Sequence, residues 1–319
     1  MNSQKKFIVS HAPFWHDGSS ITQRSNHIML AALPAVLVGL IHYGVPAFAV
    51  ISLSVSTAIL WELAINRVAK RNVTVGDGNA AVIGLLLGML LPATMPWWAV
   101  VTGTFVAVII GKEIFGGIGG NSFNPVILSI AILGISWPDF FDFDAALVNY
   151  DLDFIMVFPL AAVKHFGAGA VDGFSVGDLL MGRQVGGIGT TFGLGLILGG
   201  VYLIIRGFIR WEIPISFLFG IAITAVLFNM ADPVRFGGPT VHLLTGYTLI
   251  GAFFLATEDS SSPVNPIPML IYGAAGGIIT VLIRNIGVFV DGVVYAILVI
   301  NLINPLLDKI RPKAIGKVV

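Results

Sequence analysis

The chain has 319 residues and a formal net charge of zero, with 56% hydrophobic and only 11% charged residues and a mean hydropathy of +0.92. Soluble domains carry about 25% charged residues, and a core of this size cannot hide so much apolar surface from water, so the expected solvent is lipid. There is no cysteine, which excludes disulfides, thiolate-ligated iron–sulfur clusters and thiol catalysis, and the balanced charge gives no reason to expect nucleic acid.

Residues 1–27 are polar and lack the continuous apolar stretch of a cleavable signal, so they read as a cytoplasmic tail ahead of the first span. Apolar runs then follow at about 28–43, 46–66, 79–91, 97–112, 125–136, 190–206, 213–229, 240–256, 267–283 and 288–305. The expectation is an all-α polytopic membrane protein of about ten transmembrane helices. A full crossing needs about 20 residues, and the runs 79–91 and 125–136 are shorter. Short, Gly- or Pro-broken helices are tolerated at membrane depth only where protein or a cavity covers their loose backbone. Such segments point to a site.

With ten spans and the N-terminus inside, the cytoplasmic side receives thirteen cations: Lys5, Lys6, Arg24, Arg67, Lys70, Arg71, Lys112, Arg206, Arg210, Lys309, Arg311, Lys313 and Lys317. The other side receives four: Lys164, Arg183, Arg235 and Arg284. This bias places both termini in the cytoplasm. The connection 137–189 then lies outside and is acidic at its start, with Asp139, Asp142, Asp144, Asp151 and Asp153. The six histidines (His11, His16, His27, His42, His165 and His242) form no close i, i+4 pair inside an apolar segment. Neither haem nor a metal is therefore expected in this chain.

The chain also repeats itself. GNAAVIGLLLGMLLPATMPWW (78–98), a span ending in GKEIFGG and then NPVILSIAIL are echoed by GPTVHLLTGYTLIGAFFLAT (238–257), YGAAGGIITVLIRNIG and GVVYAILVINLINP. The Gly-rich span of each copy ends in a cation, Lys112 or Arg284. Five spans per copy is an odd number, so residues 28–136 and 190–308 are expected to insert with opposite orientation, flanking the external segment 137–189 and followed by a basic cytoplasmic tail, 309–319. Inverted repeats with broken helices place a site at the repeat interface.

The stretch GKEIFGGIGGNSFNP (111–125) breaks the membrane pattern with glycines, a Lys-Glu pair and two asparagines. Glycine permits positive φ and frees backbone amides and carbonyls, while Asn121 and Asn124 bring donors and acceptors to a place where water is scarce. Two readings stay open. The turn around Gly119, Asn121 and Asn124 holds a polar ring or a partly dehydrated cation, or the asparagines simply cap backbone. Ion-path candidates are Lys112 and Glu113 beside this turn, with Thr257, Glu258 and Asp259 at the corresponding end of the second copy. Glu62 reads as an interfacial charge pairing with Arg67, Asp77 as the N-cap of the following half-helix, and Asp308 as an interfacial charge.

DGNAAVIGLLLGMLLP, GKEIFGGIGGNSFNP, GAFFLATEDSSSP and GVVYAILVINLINPLLD together resemble a family shared by two membrane subunits. One is the D subunit of the Rnf complex, the other the B subunit of the Na⁺-translocating NADH:quinone reductase. The resemblance spans about residues 28 to 310, and the chain's length and short N-terminus favour the Rnf branch. It implies an inverted-repeat fold of ten helices in a prokaryotic inner membrane. It further implies a subunit of a redox-driven Na⁺ or H⁺ pump, partnered by flavin- and iron–sulfur-bearing subunits. In the Rnf case the couple is ferredoxin to NAD⁺. The family's cofactor is FMN esterified to a threonine of an S/T-G-A-T motif.

That motif is absent here. Laid on the family pattern, FPLAAVKHFG puts Phe158 where the flavinylated threonine stands, and a phenyl ring offers no hydroxyl. A second family element, G-x-I-G-E-T-S, appears as GGIGTTFG, with Thr190 in place of glutamate and Thr191 kept. Any flavin is therefore expected to be non-covalent, with Phe158 available for stacking, or attached elsewhere, with Thr190 and Thr191 as the fallback acceptors; a chain without flavin is the remaining alternative. No catalytic residues of a self-contained active site are evident. A secondary transporter and a redox-inert scaffold subunit remain the alternative readings.

Overall fold

The computed structural model describes residues 20–311. The sequence-based assignments for Lys5, Lys6, His11, His16, Lys313 and Lys317, and most of both tails, lie outside the described residues. Among the described residues the structure is all helical, with no strand. Large apolar side chains such as Leu30, Ile41, Phe48, Phe219 and Leu227 face outward. An outward apolar belt of this kind needs lipid. The chain is a multi-pass membrane protein.

The first helix, α1, runs Ile21–Val68 and begins where Ser20 accepts the Gln23 N–H at 3.1 Å. A straight helix of this length would reach about 72 Å, more than twice a bilayer core of about 30 Å. It does not stay straight. Gly44, at φ 63 and ψ −142, breaks it between the apolar runs 28–43 and 46–66, a conformation that glycine adopts at little cost. The second half returns beside the first, so that Thr22 lies 3.4 Å from the carbonyl of Gly76.

The remaining helices are α2 (Asn79–Leu90), α3 (Trp97–Phe105), α4 (Pro125–Ser136), α5 (Phe143–Ala146), α6 (Pro159–Phe166), α7 (Val176–Met181), α8 (Gly193–Ile205), α9 (Glu212–Ala231), α10 (Pro239–Leu244), α11 (Thr248–Ile250), α12 (Pro266–Asn285) and α13 (Val293–Leu307). Two carry π-helical extensions, α3 over Val106–Ile110 and α11 over Gly251–Leu255. Four helical stretches are long and apolar enough to cross a membrane: Ile21–Val68, Trp97–Phe115, Glu212–Ala231 and Pro266–Asn285. Four more apolar helices are shorter: α2, α4, α8 and α13. The run 240–256 is interrupted at Thr245–Tyr247, and the connection 137–189 contains α5, α6 and α7.

Contacts between loops sort the connections into two groups. The proximal end gathers the start of α1, the 68–78 turn, the 111–124 turn and the 256–265 loop; Arg24 pairs with Asp259, and the Val264 N–H donates to Asp308 at 3.3 Å. The distal end gathers Gly44, residues 137–192 and the 286–292 turn. There the Tyr150 hydroxyl meets the Tyr43 carbonyl at 3.5 Å, Ile188 N–H donates to Leu91 at 3.0 Å, and Lys164 donates to Gly287 at 2.7 Å.

The interior is closed by small residues as well as by large ones. On α12, a Cβ added at Gly277 would overlap the Phe217 carbonyl oxygen of α9. Backbones that approach so closely gain dispersion contact along their length, a main source of helix association where lipid is as apolar as leucine.

Candidate functional site

The proximal end encloses a cavity of about 790 Å³ between α1, α2, the 111–126 segment, the end of α8 and the π segment with the loop after it. Its polar lining includes Arg24, Lys112, Asn121, Asn124, Glu258 and Asp259. Phe208, Phe253 and Phe254 line its apolar part. Two breaks in helical regularity build it. Each π extension ends at this cavity, one in Gly111-Lys112-Glu113 and the other in Ala256-Thr257-Glu258. A π turn widens the helix and frees carbonyls, and such turns recur at functional sites.

Asn124 caps α4: its Oδ1 accepts from the N–H of Val126 at 2.9 Å and of Ile127 at 3.1 Å. Its Nδ2 also donates 2.9 Å to the carbonyl of Leu255, the last residue of the second π extension. One buried amide thus caps one broken helix and ties it to the other. With its amide oxygen turned toward the Asn124 N–H (2.9 Å), Asn301 on α13 also donates to Ile297 and to the Tyr272 hydroxyl. Asn121 Nδ2 donates to the Phe123 carbonyl at 3.0 Å and to Glu258 Oε1 at 3.2 Å. Glu258 Oε2 is held by the Ser261 N–H and hydroxyl at 2.9 and 2.6 Å. Thr257 turns its hydroxyl back to the Phe253 carbonyl. Gly119, at φ +88, is an exposed turn residue beside the cavity.

Lys112 takes the partner that the sequence-based expectation gave to Arg67. It is 2% exposed and its Nζ lies 2.9 Å from Glu62 Oε1, with Glu113 at 3.7 Å. Glu62 is not an interfacial charge paired with Arg67; it is fully buried and also accepts from Thr74 at 2.6 Å. The return of α3 explains this: it packs along the second half of α1, with Thr57 2.9 Å from Thr104 and the Trp61 ring 5.1 Å from that of Phe105, and so carries Lys112 to residue 62. A buried carboxylate takes the nearest buried cation because an unpaired one is too costly. Asp77 sits at the edge of the same group. Its Oδ1 accepts the Asn79 N–H at 2.8 Å. Burial pushes its carboxyl above the usual range, against the pull of that N–H and of Lys112, with Glu62 pushing the same way as burial.

Phe158 and Thr191 do not join the cavity. Both lie at the distal end. Phe158 is 3% exposed, starts α6, packs its ring 5.1 Å from that of Phe143 and donates its N–H to Asp144 at 2.6 Å. Thr190 and Thr191 are buried just before α8, and the Thr191 hydroxyl has no hydrogen-bond partner among the described residues. The five flavin candidates therefore fall into two places at opposite ends of the molecule. The chain order already implies this: α4 (Pro125–Ser136) leads away from Asn124 at the proximal end, and the connection that carries Phe158 and Thr191 begins at its other end.

The family model described as "NQR2, RnfD, RnfE family" matches residues 8–316. The chain belongs to that family. Its relatives include the D subunit of the Na⁺-translocating ferredoxin:NAD⁺ oxidoreductase complex of Acetobacterium woodii, 36% identical over 98% of this chain and 96% of the relative. The D subunit of the proton-translocating ferredoxin:NAD⁺ oxidoreductase complex of Clostridium ljungdahlii is 32% identical over 95% and 94%. The D subunit of the ion-translocating oxidoreductase complex of Pectobacterium carotovorum is 32% identical over 97% and 99%. These matches run through both broken segments and the distal connection, so the family likeness covers the cavity as well as the helices.

The cavity residues fit a flavin ring by size and chemistry. Ligand sites of this kind occupy about 300–1,000 Å³ and combine apolar walls with a few convergent polar groups. Phe158 does not fit the esterified form, having no oxygen to esterify, and a phosphoester on Thr190 or Thr191 would have to displace packed neighbours.

Proposed function

We propose that this chain is the membrane-embedded D-type subunit of an ion-translocating ferredoxin:NAD⁺ oxidoreductase complex, an oxidoreductase and translocase assembled with other subunits. The carrying observation is full-length likeness to relatives that bear that description. The partners would supply the iron–sulfur and NAD chemistry that a cysteine-free chain lacks.

Ten crossings in two inverted five-helix units (28–136 and 190–308) are part of this reading. Its support is the alternation of proximal and distal connections along the chain. Further support comes from the Gly-rich span of each unit: Lys112 ends one at the proximal end and Arg284 the other at the distal end, each buried against a carboxylate at 2.9 Å. We place the proximal end in the cytoplasm of a prokaryotic inner membrane. Nine described cations (Arg24, Arg67, Lys70, Arg71, Lys112, Arg206, Arg210, Lys309 and Arg311) belong to proximal segments, against four distal ones.

The cavity holds a flavin non-covalently in this reading. Bound there, the flavin would accept and pass on electrons. Asn124, with one Nδ2 hydrogen left, is the donor for a ring oxygen or nitrogen, and Asn121 donates to the ring on releasing Glu258. Phe253 and Phe254 flank it, and Lys112 and Glu258 set the local charge. Thr257, Glu258, Asp259, Lys112 and Glu113 are the ion-path candidates by position. The buried 62–112–113 group cannot change its charge cheaply, so a charge change in the cavity favours a compensating ion movement.

Denaturing electrophoresis under ultraviolet light, followed by acid extraction, tests this. The expected result is a dark band at this subunit's mass and flavin released from the folded chain. A fluorescent band would overturn the non-covalent reading. Colourless protein that purifies alone and catalyses solute uptake in liposomes would favour a secondary transporter. Colourless protein that still assembles with redox partners would favour a scaffold.

A further inference from the structure

At the distal end, away from the cavity, a second and smaller pocket of about 50 Å³ lies among α6, α10, α12 and the 286–292 turn. Its polar lining is Lys164, Arg235, His242, Arg284 and Asn285, and among the described residues no carboxylate lines it. His242 is 1% exposed, and neither of its ring nitrogens has a hydrogen-bond partner among the described residues. The Nδ2 of Asn285 is likewise buried without one. Buried donors without partners cost about 1–3 kcal/mol each, and native structures rarely tolerate two together.

The cations around them are only partly committed. Lys164 Nζ donates to the Gly287 and Phe289 carbonyls at 2.7 and 2.6 Å, which uses two of its three N–H groups. Burial also holds its ammonium below the usual lysine range. Arg284 spends four of its five N–H groups: Nε on Asp291, one NH1 hydrogen on the His242 carbonyl, and NH2 on Thr248 and Asp291. One NH1 hydrogen is left. Arg235, exposed, leans over Phe236 at 5.1 Å. Asp291 neutralises Arg284, and Lys164 and Arg235 leave the pocket net positive.

We propose that this pocket binds a small inorganic anion, of halide or single-oxyanion size, held by Lys164, His242, Asn285 and the free N–H of Arg284. The side chains there offer donors and positive charge, which excludes a cation. A single water needs about 10–15 Å³, so the space admits one small anion with a water but not a nucleotide or a flavin. Such an anion would tie α6 of the distal connection to α10 and α12.

The test uses the full chain purified in detergent. Thermal unfolding is followed in sodium chloride, bromide, phosphate and gluconate at equal ionic strength, gluconate being too large to enter. Chloride-35 line broadening reads binding directly on the wild type. The expected result is a saturable rise in Tm with one of the small anions and not with gluconate. Halide without phosphate assigns a halide, and phosphate assigns an oxyanion. Asn285→Leu should weaken half-saturation about tenfold, the worth of one charge-assisted hydrogen bond. Arg235→Gln, at an exposed position that should not disturb folding, should weaken it about threefold. The proposal is overturned if small anions and gluconate act alike and no saturable broadening appears, in which case the pocket holds water only. It is equally overturned if the effect survives unchanged in Asn285→Leu.

Discussion

Lys112 and Glu62 form a buried ion pair whose two halves have unequal alternatives. Glu62 Oε2 already has no hydrogen-bond partner among the described residues, so removing the ammonium leaves a buried carboxylate with only Thr74. Lys112→Met should therefore cost about 3–5 kcal/mol, and Glu62→Gln added to it should recover much of that loss. Thermal unfolding of both variants in detergent checks the cycle; equal stability of the single and double variants would show that the pair does not couple. Asp77 allows a test through pH. Its folded carboxyl is raised, so its contribution is fully present below the unfolded value and is lost as pH rises through the folded one. Asp77→Asn keeps an oxygen for the Asn79 N–H but carries no charge. It should match the wild type in acid and exceed its stability above that window, and parallel pH curves for the two proteins would contradict this.

Among the elements, what the sequence makes legible is local and what it hides is long-range. The 111–125 turn reads correctly as a broken stretch because glycine and an Asn-Pro start act within a few residues. Asn124 fulfils the capping reading, but its bond to Leu255 joins positions 131 residues apart and leaves no local trace. The pairing of Glu62 is hidden for the same reason: Arg67 is near in sequence, while Lys112 is near only after α3 returns along the second half of α1. Phe253 and Phe254 have no signal beyond apolarity; the π extension that turns them to the cavity depends on tertiary packing. The close α9–α12 contact, by contrast, is visible as glycines at 273 and 277, four apart on one face. Gly277→Val would push a branched side chain into the Phe217 carbonyl, so it should cost at least about 1–3 kcal/mol and lower the yield of folded protein sharply. Gly207→Ala, where a Cβ meets nothing within 4 Å but φ is +73, should cost about 1 kcal/mol from backbone strain alone. Equal yields for Gly277→Val and Gly207→Ala would mean that the helix contact is looser than the structure has it. At the cavity, Asn124→Leu should lower flavin retention strongly while the chain still folds, because the bridge to Leu255 is lost along with the cap.

For the molecule as a whole, the proposed topology makes one demand: the two ends must face different compartments, with the large cavity and most cations on one side and the acidic connection with the small basic pocket on the other. The absence of cysteine makes this directly measurable. Single cysteines at Arg210, in the proximal turn between α8 and α9, and at Asp151, in the distal connection, replace side chains outside the helices. Arg210, 55% exposed, pairs at 2.6 Å with Glu212, whose side chain is 6% exposed, so the variant at 210 is first checked for unchanged expression and insertion. Membrane-impermeant maleimide added to intact cells should label the cysteine at 151 and spare the one at 210; opened membranes should label both. An odd number of crossings between positions 151 and 210 puts them on opposite sides, and an even number would put both on one side. Labelling of both in intact cells would break the proximal–distal assignment, and labelling of 210 alone would invert it and place the cavity outside, where a flavin could not receive electrons from a cytoplasmic donor.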